Sequence, residues 1–215
     1  MTFLEIQAAA RAHHLDIFGG FRCTQQDGTP DDARVMLLLG PYEPGYWDHV
    51  TARAEWQDKQ KDPIDRWSQR VITTLALQFD GIALFPFGGP PFQPFIQWAL
   101  KSGQAWQSPV SLLVHARAGL MVSYRGALAL PYEIDLPEPS ISPCKKCEKP
   151  CLTACPSGAL TGTGYDVPAC HRYLDTPDGR SNLRHGCGVR RDCPVSQSYG
   201  RVEAQSAYHM SIFHK

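Results

Sequence analysis

Cysteine is the residue type whose spacing in this chain most clearly indicates chemistry. Seven of the eight cysteines lie between Cys144 and Cys193. In PCKKCEKPCLTACP the cysteines are separated by two, three and three residues, and the last one precedes a proline. The other three follow in YDVPACHRYLD and RHGCGVRRDCPVSQ. Thiolates at such short intervals can converge on one inorganic group, so the sequence predicts a metal centre.

The first four cysteines resemble the C-x2-C-x2-C-x3-C-P run of bacterial ferredoxins, in which three thiolates hold one iron–sulfur cluster and the fourth belongs to another. Two or three residues between ligands let a loop turn around a cubane cluster and point its amides at the sulfides. Two other interpretations stay open. A structural zinc site usually has two C-x2-C pairs farther apart, and disulfides require an oxidising compartment.

Composition and charge describe an ordinary globular protein. The 215 residues include 21 basic and 21 acidic side chains. A balanced charge creates no field that would attract nucleic acid or anionic lipid. The N-terminal residues do not resemble a secretory signal, and no apolar run reaches the length of a membrane span. We therefore expect a cytoplasmic protein without membrane or nucleic-acid partners, in which clustered cysteines bind metal.

Hydrophobic periodicity predicts alternating helices and strands over the first 135 residues. We expect helices at 3–13, 63–79 and 95–102, and strands at 15–21, 35–39 and 81–87. The apolar stretch 110–131 predicts an antiparallel hairpin whose turn lies at 115–119. This alternation indicates an α/β fold, a three-layer domain with a mixed sheet. We expect this domain at 1–137 and a small cysteine-rich lobe with a C-terminal helix at 138–215.

The order of these parts resembles epoxyqueuosine reductase. The resemblance lies in LLVHARAGLMVSYRGALALP, a proline-rich link, the four-cysteine run, Cys170 in ACHRYLD and the final GC…CP. It covers about residues 75–200. That family joins a nitroreductase-like cobalamin-binding domain to a two-cluster ferredoxin-like lobe, as reductive dehalogenases also do, and its cobalamin domain is related to the CblC proteins. The resemblance implies this fold, [4Fe-4S] clusters, a corrinoid and a redox partner protein.

The resemblance also implies a ligand set for each cluster. The first cluster would be held by Cys144, Cys147, Cys151 and Cys193. The second would use Cys155, Cys170 and Cys187, but Arg190 stands where the family has a fourth cysteine. A guanidinium has no lone pair to give a metal. Three outcomes are open: the second cluster is absent, it has three ligands, or it is completed by His171, His185 or Cys23.

Two further features bear on activity. Basic side chains beside the cysteines, among them Lys145, Lys146 and Arg190, would help to hold a negatively charged cluster. The family's aspartate general acid has no counterpart, because no carboxylate lies between Gly81 and Leu100. We therefore expect one-electron transfer through a [4Fe-4S] cluster, whether or not the chain is itself an oxidoreductase. The alternative is a non-enzymatic module whose cluster is structural or senses redox state.

Overall fold

The computed structural model describes residues 1–215. The chain has an α/β composition with ten α-helices and eight strands. The helices are α1 Phe3–Arg11, α2 Tyr46–Thr51, α3 Ala54–Gln57, α4 Pro63–Gln78, α5 Phe95–Lys101, α6 Val167–Leu174, α7 Arg180–His185, α8 Gly188–Arg191, α9 Pro194–Gln197 and α10 Glu203–Phe213. The strands are β1 Leu15–Arg22, β2 Val35–Pro41, β3 Ile82–Leu84, β4 Ala105–Gln107, β5 Leu113–His115, β6 Gly126–Leu130, β7 Leu160–Thr161 and β8 Gly164–Tyr165.

The chain forms two compact units. The first contains residues 1–104 and 123–140, and the second contains residues 105–122 and 141–215. The third crossing between them, after residue 140, lies near the boundary expected at 137. The sequence did not indicate that residues 105–122 join the cysteine-rich part of the chain. The second unit is therefore built from two separate pieces of the sequence.

The first unit is organised around a four-stranded sheet of order β1-β2-β6-β3. All residues of β2 and β6 are buried, as the apolar run at 35–39 predicted. Every pairing in the sheet is antiparallel, so the prediction of a mixed sheet was wrong. An apolar run indicates that both faces of a strand are buried, but it does not indicate whether the strand pairs in parallel or antiparallel.

Two helices of the first unit form as their sequences predict. Thr2 caps α1, and the side chains of Thr2 and Glu5 each accept a hydrogen bond from the other's backbone N–H. Helix α4 begins at Pro63, a residue suited to the first helical turn. Its apolar residues recur every three to four positions and are buried, and α4 packs on β3 and β6.

The predicted hairpin at 110–131 was wrong. Strand β5 pairs with β4, and Leu113 lies opposite Gln107. Strand β6 belongs to the sheet of the first unit, between β2 and β3. The turn itself is present, since His115 and Gly119 exchange two backbone hydrogen bonds of 3.0 Å. Two apolar strands joined by a turn look the same in sequence whether they pair with each other or with other strands.

The second unit has little regular structure and a small apolar core. Its core contains Cys151 and Cys193 together with aliphatic side chains from both pieces of the unit: Val110, Val114, Leu120, Leu160 and Val189. Most of its elements are single helical turns or two-residue strands. Across the whole chain, no helix has both the length and the apolar character needed to span a membrane.

Candidate metal centre

Four of the seven clustered thiols surround one cavity in the second unit. The cavity has an empty volume of about 270 Å³, part of which is open to solvent. Its cysteines are Cys144, Cys147, Cys151 and Cys193. Its other walls include Ser108, Val114, Leu120 and Pro194. These four cysteines are the set that the resemblance assigns to the first cluster, and the structure brings them together although Cys193 is distant in sequence.

Short helical turns position the four thiols. Cys144 lies in the 3₁₀ helix Pro143–Lys146, and Cys151 lies in the 3₁₀ helix Pro150–Leu152. Between them Lys149 has a positive φ of 56°, and its backbone N–H donates to Cys147 Sγ at 3.3 Å. Such a hydrogen bond orients the sulfur. The loop turns back on itself here, and this is the part that carries one residue more than the ferredoxin spacing.

The thiols affect one another electrostatically. Burial raises the pKa of the Cys144 thiol, and the neighbouring thiols of Cys193 and Cys147 raise it further. Burial likewise raises the pKa of Cys151, with added contributions from the other three cysteines. Four thiolates packed together repel each other unless a positively charged group lies among them. In the metal-free protein Cys144 and Cys151 are therefore protonated at neutral pH.

The hairpin β4–β5 and the loop that follows it form one wall of the cavity. Gly119 has a φ of +55°, and a Cβ atom built on it would lie 2.5 Å from the Ser196 nitrogen and 3.0 Å from Cys193 Sγ. Only glycine fits this position without moving the backbone that carries Cys193. The backbone N–H of Leu120 donates to Ser196 Oγ at 2.9 Å. The loop and α9 are thereby held against each other beside Cys193.

One polar atom of the wall is left without a partner. The Ser108 side chain is buried, with 6% of its surface exposed, and its Oγ makes no hydrogen bond within the protein. Its backbone N–H donates to the Leu112 carbonyl at 2.8 Å, and its carbonyl accepts from Ser111 N at 3.1 Å. The residue is therefore fixed in a tight turn. An unpaired buried hydroxyl is unfavourable unless a bound group satisfies it.

These residues match an iron–sulfur cluster in donor type. No group of three or more His, Cys, Asp or Glu side chains in the chain is placed to hold a metal ion. The four thiols instead line one cavity together with residues that are mostly apolar. Thiolates are soft ligands of the kind that bind iron–sulfur clusters. That these thiols bind iron stays a prediction.

The other three cysteines form a second group. Cys170 interacts electrostatically with Cys187 and Cys155, and it is hydrogen-bonded to the hydroxyl of Tyr165. Burial raises the pKa of Tyr165, and the hydrogen bond to Cys170 raises it further. Burial opposes ionisation of Cys155, but hydrogen bonds from the Ser157 hydroxyl and from nearby backbone N–H groups lower its pKa overall. The Tyr165 hydroxyl thus lies beside Cys170, and Cys187 acts on it electrostatically.

Arg190 lies beside this second group. Its charge acts on Tyr165, and its Nη1 donates to the Leu120 carbonyl. The substitutes named from the sequence have other partners. His171 Nδ1 lies 2.7 Å from His214 Nδ1, and His185 Nδ1 lies 3.1 Å from Glu203 Oε2. Cys23 belongs to the first unit, where burial raises the pKa of its thiol.

Lys145 and Lys146 are exposed at the end of the 3₁₀ helix that carries Cys144. The helix ends at Lys146, directly before Cys147, so both lysines lie between two of the four thiols in sequence. Their side chains add positive charge at the surface near the first thiol group, and their role toward a cluster stays a prediction.

Sequence reasoning missed three residues of the site. Ser108, Gly119 and Tyr165 carry no motif, because a serine before a proline, a glycine in a turn and a lone tyrosine are common in any protein. Their importance depends on which segments fold together. For Ser108 and Gly119, the wrong hairpin prediction gave no indication that their segment joins the cysteine-rich unit. For Tyr165 the only available signal was its position five residues before Cys170.

Comparison with known proteins identifies no relative. No protein-family model matches the chain, and no curated protein or solved structure is significantly similar to it. The class of the protein therefore has to be argued from the geometry of the second unit.

Proposed function

We propose that this chain is an iron–sulfur redox protein that carries single electrons through one [4Fe-4S] cluster. The proposed ligands are Cys144, Cys147, Cys151 and Cys193. The observation that carries the proposal is that Cys193, far from the other three in sequence, lines the same cavity as they do. A reducing compartment such as the cytoplasm would keep these thiols free for metal.

Each part of the site has a role in this function. The four thiols would lose their protons and bind iron, which supplies the one-electron chemistry. Cys151 and Cys193 are 7% and 8% exposed, so they would shield one side of the centre from water. The Lys149 N–H would stabilise the Cys147 thiolate. The exposed Lys145 and Lys146 would attract an acidic redox partner.

The proposal keeps only part of what the family resemblance implies. A ferredoxin-like lobe and a nitroreductase- or CblC-like first unit remain our proposed assignments. In the first unit, a cavity of about 890 Å³, including open solvent, lies at the start of α1 and at residues 133–137. No residue of 81–100, where the resemblance implies the general acid, lines it. Because this cavity and the segment 81–100 are separate, we do not propose epoxyqueuosine reduction.

Anaerobic reconstitution with iron and sulfide tests the proposal. We expect about four irons and four sulfides per chain, and an EPR signal that appears on reduction with dithionite and disappears on reoxidation. Cys193→Ser should lose most of the iron, because it removes a ligand from the cavity. Cys23→Ser is the matched control, since it removes a half-buried thiol of the first unit and should retain the full iron content.

The other outcomes separate the alternatives. A cluster that forms but decomposes on reduction would indicate a structural or redox-sensing role. Stoichiometric zinc without iron in anaerobically purified protein would replace the proposal by a zinc site. Iron loading that is unaffected by Cys193→Ser would refute the ligand set. A spectral titration with a corrinoid on the same samples tests whether that cofactor binds.

A further inference from the structure

We infer that the Ser108 hydroxyl donates a hydrogen bond to a sulfur atom of the iron–sulfur centre, either a cluster sulfide or a ligand thiolate, and thereby raises its reduction potential. The inference rests on the proposed function. It assigns a positioning and tuning role to a residue outside the cysteine motif, in a part of the chain that precedes the motif by more than thirty residues.

The geometry supports this role in three ways. Ser108 lines the cavity that the four cysteines surround. Its Oγ is buried and has no hydrogen-bond partner in the protein. Its backbone is held on both sides by the turn that closes the β4–β5 hairpin. The Ser108 backbone is therefore fixed at the edge of the four-thiol cavity, and its hydroxyl is an unused donor.

The other nearby serines do not share this property. Ser196 Oγ accepts from the Leu120 N–H, and Ser111 Oγ donates to the Thr161 carbonyl at 3.1 Å. Ser157 Oγ lies 3.4 Å from Cys155 Sγ, in the second thiol group. A buried hydroxyl without a partner costs free energy. A sulfur acceptor at this position would remove the cost.

The effect on the potential follows from charge. The reduced cluster carries one more negative charge than the oxidised cluster, so a donor near its sulfur stabilises the reduced form more. Hydrogen bonds to the sulfurs are among the factors that set the potential of such clusters. Removing the donor should make the cluster harder to reduce.

The test compares variants of the reconstituted full-length chain by potentiometric titration followed by EPR. For Ser108→Ala we expect the potential to fall, with at least a threefold change in the one-electron equilibrium constant, which corresponds to ~28 mV at 59 mV per factor of ten. Ser108→Thr keeps the hydroxyl and should stay close to the wild type. Ser111→Ala removes a hydroxyl from the same turn and should leave the potential unchanged.

A second measurement separates tuning from a structural role. In the chain without iron, Ser108→Ala should be as stable as the wild type or more stable in urea unfolding, because it deletes an unsatisfied buried hydroxyl. A loss of stability there would assign Ser108 to the fold.

The inference and the proposed function fail in different ways. A wild-type chain that takes up no iron would overturn the proposed function. A loaded Ser108→Ala protein with unchanged potential would overturn only the inference. The inference is also overturned if Ser111→Ala shifts the potential as much as Ser108→Ala does.

Discussion

The thiols of the first group combine burial with mutual repulsion, and the proposed iron binding should therefore depend on pH. Burial and neighbouring thiols raise the pKa of Cys144 and Cys151. At neutral pH these ligands carry protons that iron must displace. Raising the pH lowers the free energy needed to remove these protons.

We therefore expect iron uptake to be less complete at about pH 6.5 than at about pH 8.5, close to the ordinary thiol pKa. Measuring iron per chain and proton release during anaerobic loading checks this. The stability of the iron-free chain should instead fall as the pH rises. Since the pKa values of Cys144 and Cys151 are raised in the folded chain, their favourable contribution is complete below the ordinary thiol pKa and is lost as the pH rises through the raised values. A loading curve that falls with pH would contradict the expectation.

In the proposed function, Arg190 limits the chain to one cluster. It acts electrostatically on Tyr165 beside the three remaining thiols, and a guanidinium cannot bind iron. Arg190→Cys should supply the missing ligand and raise the iron content from about four to about eight per chain.

Arg190→Ala is the control for this experiment, because it removes the charge without adding a thiol and should stay at about four irons per chain. If the wild type or Arg190→Ala already holds about twice that amount, then Arg190 does not explain the loss of the second cluster.

For single residues, the sequence identified the clustered thiols of the site but not its buried hydroxyl. The cysteine spacing and the resemblance named Cys144, Cys147, Cys151 and Cys193, which line one cavity. Ser108 could not be found in the same way. Its relevance depends on burial and on a missing partner, and neither property is visible in a single sequence.

Among the elements, the loop between β5 and β6 has the most direct effect on the site. Gly119 lies in this loop with a positive φ, against Ser196 and Cys193. Gly119→Ala should destabilise the protein by about 1–3 kcal/mol and reduce iron retention, because the new methyl group pushes on the turn that carries Cys193.

Urea unfolding and iron content measure these two effects. Gly164→Ala is the matched control, since a Cβ at Gly164 meets nothing within 4 Å. Equal iron retention in both variants would show that the loop does not support Cys193.

The prediction of elements succeeded where local signals suffice. The capping box of α1, the proline and apolar periodicity of α4 and the apolar run of β2 are each encoded within a few residues. Strand pairing is not encoded locally, because it depends on which distant segment supplies the partner strand. This explains why β5 and β6 were paired with each other and why the sheet was expected to be mixed.

Over the whole molecule, the second unit draws on two pieces of the chain that are separated by residues of the first. If iron binds the thiol cavity, it stabilises the folded state of the unit that contains it. We expect iron loading to slow amide hydrogen exchange in 105–122 together with 141–215, with little change in 1–104 and 123–140.

Hydrogen exchange followed by mass spectrometry, with and without iron, measures this directly. The Cys193→Ser variant treated identically is the control and should show no protection. Protection limited to 141–215 would mean that residues 105–122 are not part of the metal-binding unit.

Because the second unit is built from two pieces of the chain, its thiol cavity cannot be produced from the C-terminal piece alone. A recombinant fragment starting at residue 138 would keep every clustered cysteine but lose Ser108, Val114 and Leu120 from the cavity wall. Such a fragment would expose its ligands to solvent and oxygen. To graft the centre onto another scaffold, an engineer would have to transplant both pieces, for example by joining the end of 105–122 to residue 141 through a designed connector.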